Sequence, residues 1–157
     1  MKIYFARHGE YQNPKAIVPY QLSGFPLSER GIQQANLQAD KLIGHNIRTL
    51  SCSPIERCLE TATIIGHVIG LHPNEHSELI ERLEDETRES IITRMAEFIG
   101  KLKLMSKNST HLIVSHGDPI TFYLSHVTKK SLELIPMGGL VVLDYSQSGI
   151  PKYTEII

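Results

Sequence analysis

Cysteine is nearly absent from this chain. Cys52 and Cys58 are the only two in 157 residues and form no Cys-x-x-Cys pair, so neither a disulfide framework nor a zinc site is signalled. A reducing compartment, the cytoplasm, is therefore expected. Charge of one sign is lacking too: 16 Lys+Arg stand against 17 Asp+Glu, which gives no general attraction for nucleic acid or an anionic membrane surface. No apolar run approaches the roughly 20 residues that cross a bilayer. Residues 1–8 form an apolar stretch too short, and too soon interrupted by polar residues, for a signal peptide. Repeats, linkers and low-complexity segments are missing as well.

What is present suits a globular domain. Hydrophobic residues make up 41% and charged residues 21%, and 157 residues fit one domain, residues 1–157. A domain of this length buries roughly two thirds of the surface of its unfolded chain. The pattern alternates short apolar runs with helical periodicity. Residues 2–6 read as a buried strand, 10–27 as a long loop holding three prolines, and 28–43 as a helix capped by Ser28, with Ile32, Ala35, Ala39 and Leu42 inward. A strand at 48–52 leads to Ser53-Pro54-Ile55-Glu56, where a serine cap and a proline at the first helical position mark a helix that Gly70 stops. Residues 73–80 leave room for a short strand, 91–104 for a third helix and 111–115 for a third strand. Asp118-Pro119 then repeats the cap-and-proline signal, and strands follow at 140–145 and, at an edge, 151–157. This alternation predicts an α/β fold, a three-layer α/β/α sandwich around a mostly parallel central sheet.

Three strands end in polar clusters: Arg7-His8-Gly9-Glu10, Ser53-Pro54 leading to Arg57, and Ser115-His116-Gly117-Asp118. Ligands of open α/β sheets bind beyond the carboxyl ends of strands, so the clusters are expected to meet in one crevice. Arg57 falls in the first turn of its helix, where the macrodipole disfavours a cation by about 0.3–1 kcal/mol unless an anion offsets it. Arg57 alone fits a snorkelling side chain or a pair with Glu60 equally well, and a lone histidine after a strand is more often structural than catalytic. Two arginines and two histidines at equivalent strand ends instead call for an anion: phosphate, sulfate or carboxylate.

These residues resemble the histidine phosphatase superfamily, the phosphoglycerate mutase-like family. The resemblance rests on Arg7-His8-Gly9-Glu10, on Pro26-Leu27-Ser28-Glu29-Arg30-Gly31 with Gln34-Ala35, on Ser53-Pro54-Ile55-Glu56-Arg57 with Thr61-Ala62, and on Val114-Ser115-His116-Gly117. It implies a phosphoglycerate mutase-like sandwich in which His8 attacks phosphorus while Arg7, Arg57 and His116 contact the phosphoryl oxygens. Neither a metal nor a cofactor is implied. Phosphoryl transfer spreads negative charge over equatorial oxygens, which fixed cations stabilise without reorganising, and neutral imidazole supplies the lone pair of a nucleophile.

A leaving alkoxide needs a proton, and Glu78, Glu81, Glu84, Asp85 and Glu86 all lie in one acidic stretch. The family carries its acid in a Leu-x-Glu-Arg segment, which Leu79-Ile80-Glu81-Arg82 matches, so the resemblance selects Glu81. The glycine and aromatic residues that often follow are absent here. Asn13 comes five residues after His8 where many members have an asparagine after six; it is read either as a phosphate ligand or as a turn former before Pro14. Tyr11, Gln12, Lys15, Tyr20 and Gln21 lie in the loop expected to line the pocket's mouth, where Lys15 is a candidate for a second anionic group of the substrate, and each equally fits a solvated loop residue. Met95 and Phe98 read as core, and the remaining histidines fit no metal-ligand spacing.

The expected activity is a metal-independent phosphomonoesterase acting on a small phosphorylated metabolite through a phosphohistidine on His8, with inorganic phosphate as product and ligand. The alternatives are a phosphohistidine or phosphoprotein phosphatase, a phosphoglycerate mutase-type phosphotransferase, and an inactive phosphate-binding scaffold. Only 34 residues separate Glu81 from His116, less than the cofactor-dependent mutases of the family use to enclose a bisphosphate. Oligomeric state is left unassigned, because no coiled-coil pattern is present.

Overall fold

A computed structural model describes residues 1–105, 108–146 and 149–157. Among them are six strands, β1 (Lys2–Arg7), β2 (Ile47–Cys52), β3 (Pro73–Glu75), β4 (Thr110–Ser115), β5 (Leu140–Asp144) and β6 (Lys152–Glu155). Four α-helices accompany them: α1 (Glu29–Leu42), α2 (Glu56–Ile69), α3 (Arg88–Met105) and α4 (Gly117–Thr128). The strands form one sheet in the order β3-β2-β4-β1-β5-β6. β3, β2, β4 and β1 run parallel, β5 runs antiparallel beside β1, and β6 at the edge is antiparallel to β5.

Alternation along β1 shows how the sequence builds two cores. Ile3 and Phe5 point to one face and pack with Met95, Phe98 and Ile99 of α3 and Ile120 and Leu124 of α4. Tyr4 and Ala6 point to the other face, with Ala39 and Leu42 of α1 and Cys58, Ala62 and Ile65 of α2. Covered on both faces, β1 has no need of polar residues, which is why residues 3–6 are continuously apolar. The expected sandwich with a mostly parallel sheet is the fold observed, and β6 takes the edge.

Local starts and stops agree in part. Ser28 caps α1 by accepting from the Gly31 amide at 3.1 Å, and Gly70 closes α2 with φ +73°. The inward stripe of α1 is Gly31, Ala35, Gln38, Ala39 and Leu42, and Ile32, expected inside, is 45% exposed. Gln38 takes a core position because its amide donates to the Arg7 and Gly139 carbonyls at 2.9 and 3.0 Å, tying α1 to the end of β1.

Ser53 does not cap α2. The helix begins at Glu56 after Ile55, and Ser53 Oγ accepts from the Ile55 amide at 3.3 Å while facing His116. Asp118 does not cap α4 either, since that helix starts at Gly117 after His116. In both places the polar side chain is used elsewhere, Ser53 on His116 and Asp118 on Arg82.

Candidate active site

The three strand ends meet. β1 and β4 are parallel neighbours in register, with Arg7 beside Ser115, and β2 flanks β4 on its other side. His8, Arg57 and His116 therefore emerge within a few ångströms of one another, all nearly or completely buried. A Cβ at Gly9 would strike the Gly31 backbone and one at Gly31 the Glu10 backbone, so two glycines let the His8 turn pack directly on the first turn of α1. Thr61 of α2 adds a third anchor, its hydroxyl accepting from the Gly9 amide at 3.1 Å and donating to the Arg57 carbonyl at 2.7 Å.

His8 is held as a neutral, directed imidazole. Its Nδ1 lies 2.8 Å from the Gly9 carbonyl oxygen, an acceptor, so Nδ1 carries the proton and Nε2 keeps its lone pair. Arg57 Nε donates to that Nε2 at 3.4 Å. Burial, then the nearby Arg57 and Arg7 charges, push the His8 pKa down to about 3, although the Gly9 carbonyl favours the protonated form. The ring is unprotonated at neutral pH.

The two guanidinium groups are partly committed. Arg7 Nη1 donates to the Ile135 carbonyl at 2.6 Å and Arg57 Nη2 to the Tyr20 carbonyl at 2.7 Å. Arg7 Nε and Arg57 Nη1 are buried without any partner. An unmatched buried donor costs on the order of 1–3 kcal/mol, more when charged, so each is a vacancy for an acceptor. Both arginines, with His8, line a pocket of about 210 Å³ that also includes Tyr11, Glu81 and Gly117.

His116 stands behind His8, the two rings 5.2 Å apart and edge to face. It is fully buried and has no surface on the pocket. Its Nε2 is 2.9 Å from Ser53 Oγ and 3.4 Å from Cys58 Sγ, and its Nδ1 is 3.7 Å from Glu81 Oε2. Burial holds His116 well below its ordinary pKa and raises that of Glu81, so their approach is not an ion pair.

Glu81 lines the pocket as the Leu-x-Glu-Arg pattern implied. Leu79 is buried beneath it, with its carbonyl accepting from Ser115 Oγ at 2.7 Å, and Gln21 Nε2 donates to the Glu81 carbonyl at 2.7 Å. The other acidic candidates are used elsewhere. Glu78 pairs with Lys101 at 2.9 Å and Glu86 with Arg94 at 2.7 Å.

Asn13 requires correction. Its side-chain amide donates to the Ile17 carbonyl at 2.7 Å and its oxygen accepts from the Ile17 amide at 3.2 Å, so both ends close a turn within the loop, away from the pocket lining. Lys15 is exposed and does not line the pocket either. Glu60, the proposed surface partner of Arg57, instead accepts from the Leu27 amide at 2.6 Å. Tyr11 and Tyr20 line the outer pocket, as expected of the loop, and Val18, Pro19 and Leu134 join them unforeseen, with Arg82, which pairs there with Asp118 at 2.9 Å. Their approach depends on loop packing, which leaves no local pattern.

A family model described as "Histidine phosphatase superfamily (branch 1)" matches residues 3–85, the span from the His8 strand through Glu81. The chain belongs to this superfamily. Among solved structures it is similar to Bacillus stearothermophilus YhfR, with a TM-score of 0.87 and 18% identity over 98% of this chain and 95% of that one. A mycobacterial glucosyl-3-phosphoglycerate phosphatase in complex with VO3 gives a TM-score of 0.86 at 18% identity, covering 99% and 97% of the two chains. In sequence, 80 residues are 38% identical to an uncharacterised protein of Mycobacterium tuberculosis, covering 51% of this chain and 40% of that protein's length. A 2,3-bisphosphoglycerate-dependent phosphoglycerate mutase of Thermoplasma acidophilum is 29% identical over 150 residues, covering 76% of this chain and 72% of the mutase.

Proposed function

We propose that this superfamily member is a metal-independent phosphomonoesterase for a small phosphorylated metabolite, working through a phosphohistidine on His8. One observation carries the proposal: Arg7 Nε and Arg57 Nη1, buried and unpartnered, line the same small pocket as the unprotonated His8. That is the arrangement a tetrahedral dianion fills, with guanidinium donors for its oxygens and a lone pair for its phosphorus.

In the first step His8 Nε2 forms a bond to phosphorus as the ester oxygen departs, taking the Glu81 proton. A carboxyl with a pKa raised by burial suits this role, because it is protonated at a pH where a free carboxyl is not. Arg57 Nε, which donates to His8 Nε2, is released to the phosphoryl oxygens. In the second step water gives its proton to the Glu81 carboxylate and attacks phosphorus, breaking the N–P bond and returning neutral His8 and inorganic phosphate. Ser53 Oγ, 2.9 Å from His116 Nε2, and Glu81 Oε2, 3.7 Å from its Nδ1, hold His116 behind His8, where it positions the nucleophile and the acid and does not itself contact the phosphoryl group.

Phosphate release from a panel of phosphoesters, measured in EDTA with wild type and His8→Ala, tests the proposal. Activity that persists in EDTA and vanishes in His8→Ala, with acid-labile phosphate trapped on the wild-type chain, is the expected result. Activity that survives His8→Ala overturns it. A mutase would convert phosphoglycerate isomers without releasing phosphate, so the same assay separates the two.

A further inference from the structure

The outer half of the pocket has a chemistry of its own. Val18 and Pro19 from the loop and Leu134 from the connection after α4 meet there, with the Tyr11 and Tyr20 rings beside them. Val18 is 66% exposed and Leu134 is 53% exposed, so both present apolar surface to whatever enters. Among the described residues the charged side chains lining this half are Glu81, Arg82 and Asp118, and Arg82 is already paired: its Nε lies 2.9 Å from Asp118 and its guanidinium is 5.9 Å from the Tyr20 ring. No lysine lines the pocket among the described residues.

From this lining we infer that the substrate is a monophosphate ester whose leaving group is uncharged and apolar or aromatic, with no carboxylate or second phosphate. The inference rests on the phosphatase reading of the inner site and names its substrate class. Arg7 and Arg57 neutralise the phosphoryl group, but beyond it a second anion would lose its hydration and meet a cation, Arg82, that Asp118 already pairs at 2.9 Å. An apolar leaving group instead covers Val18 and Leu134 and is favoured in proportion to the surface removed from water.

Binding of two phosphonates, whose P–C bond cannot be hydrolysed, tests this apart from catalysis. Benzylphosphonate and 4-carboxybenzylphosphonate share the anion seat and differ only in the remote charge. Calorimetry on the wild-type protein should find benzylphosphonate at least about tenfold tighter. Val18→Lys and Leu134→Lys, at exposed positions, should each shrink that ratio by about three- to fivefold by supplying a cation, and Asp118→Asn should do the same by freeing Arg82. Equal or tighter binding of the carboxylated ligand to wild type overturns the inference. So does a ratio unchanged in all three variants. Failure of the phosphatase reading is read separately, as absent phosphate release from phosphoesters by a protein that still ranks the two phosphonates.

Discussion

β4 carries a buried histidine near each end, and the two have different surroundings. His111, near its start, lies 2.7 Å from the Thr49 hydroxyl of β2; His116, just past its end, lies 2.9 Å from the Ser53 hydroxyl that follows β2. Both are almost wholly buried and both meet a hydroxyl from the neighbouring strand. Burial and a hydroxyl partner are thus common to a core histidine and a site histidine. What distinguishes His116 is its company: His8, Glu81 and, among the charges that depress its pKa, Arg57 and Arg7. Those groups arrive from other strand ends, so topology and not the local environment makes the site.

The sharpest way to break this comparison is at the convergence itself. His8→Ala should lower kcat/KM for phosphoester hydrolysis by at least about 10⁴-fold while leaving the circular dichroism spectrum unchanged, since the proposed nucleophile has no substitute. A variant that keeps even a tenth of the activity would sever His8 from the chemistry. Next in size, Arg57→Ala should cost on the order of 10²–10³ in kcat, the loss typical of a positioned charge donor. His116→Gln should fall in the same range, and a loss below about tenfold would make it a core residue like its counterpart.

Glu81→Gln separates binding from protonation. Hydrolysis of alkyl phosphates should fall by about 10²-fold or more, whereas p-nitrophenyl phosphate, whose leaving group needs no proton, should lose far less. Equal losses on both substrates would remove Glu81 as the acid.

The pH dependence of stability follows from the same burial. His8 is depressed to about 3 in the folded state from an ordinary 6.5, so below 6.5 the unfolded chain binds a proton that the native chain refuses. Its contribution is complete above pH 6.5 and is lost as the pH falls toward 3. Between pH 7 and pH 5 this amounts to about 2 kcal/mol for His8 alone, with His116 acting in the same direction. Glu81, raised instead, acts oppositely from its unfolded value upward. Urea unfolding at the two pH values should show the loss, and His8→Gln should flatten the slope.

The smallest effect belongs to the other end of β4. His111→Gln should cost about 1 kcal/mol in stability through its hydrogen bond with Thr49 and leave kcat/KM within about twofold. A large loss of activity there would erase the distinction between the two ends.

The sequence made the strand-end clusters legible because strands impose period 2 and end on recognisable punctuation, so Arg7, His8, Arg57 and His116 could be placed together before any coordinates. Glu81 was legible only through the family's segment, since five carboxyl groups share its stretch. The errors have a common cause. Asn13, Ser53 and Asp118 each have a plausible local role, and their actual hydrogen bonds run to a different partner: Ile17 for Asn13, the Ile55 amide and His116 for Ser53, Arg82 for Asp118. Of the outer pocket, Tyr11 and Tyr20 were legible as loop residues at its mouth, whereas Val18, Pro19 and Leu134 were not, because the loop is held by Arg57 and Glu81, partners far away in sequence.

The loop between β1 and α1 closes on itself at an isolated bridge pairing Tyr11 with Leu27. Below that neck, the glycine contact between Gly9 and Gly31 fixes the nucleophile to α1 without involving residues 12–26. The tip of the loop still reaches the site, because the Tyr20 carbonyl accepts from Arg57 and Gln21 donates to the Glu81 carbonyl. A graft that replaces the tip must therefore reproduce those two ties, or it will loosen Arg57 and Glu81 along with the pocket wall.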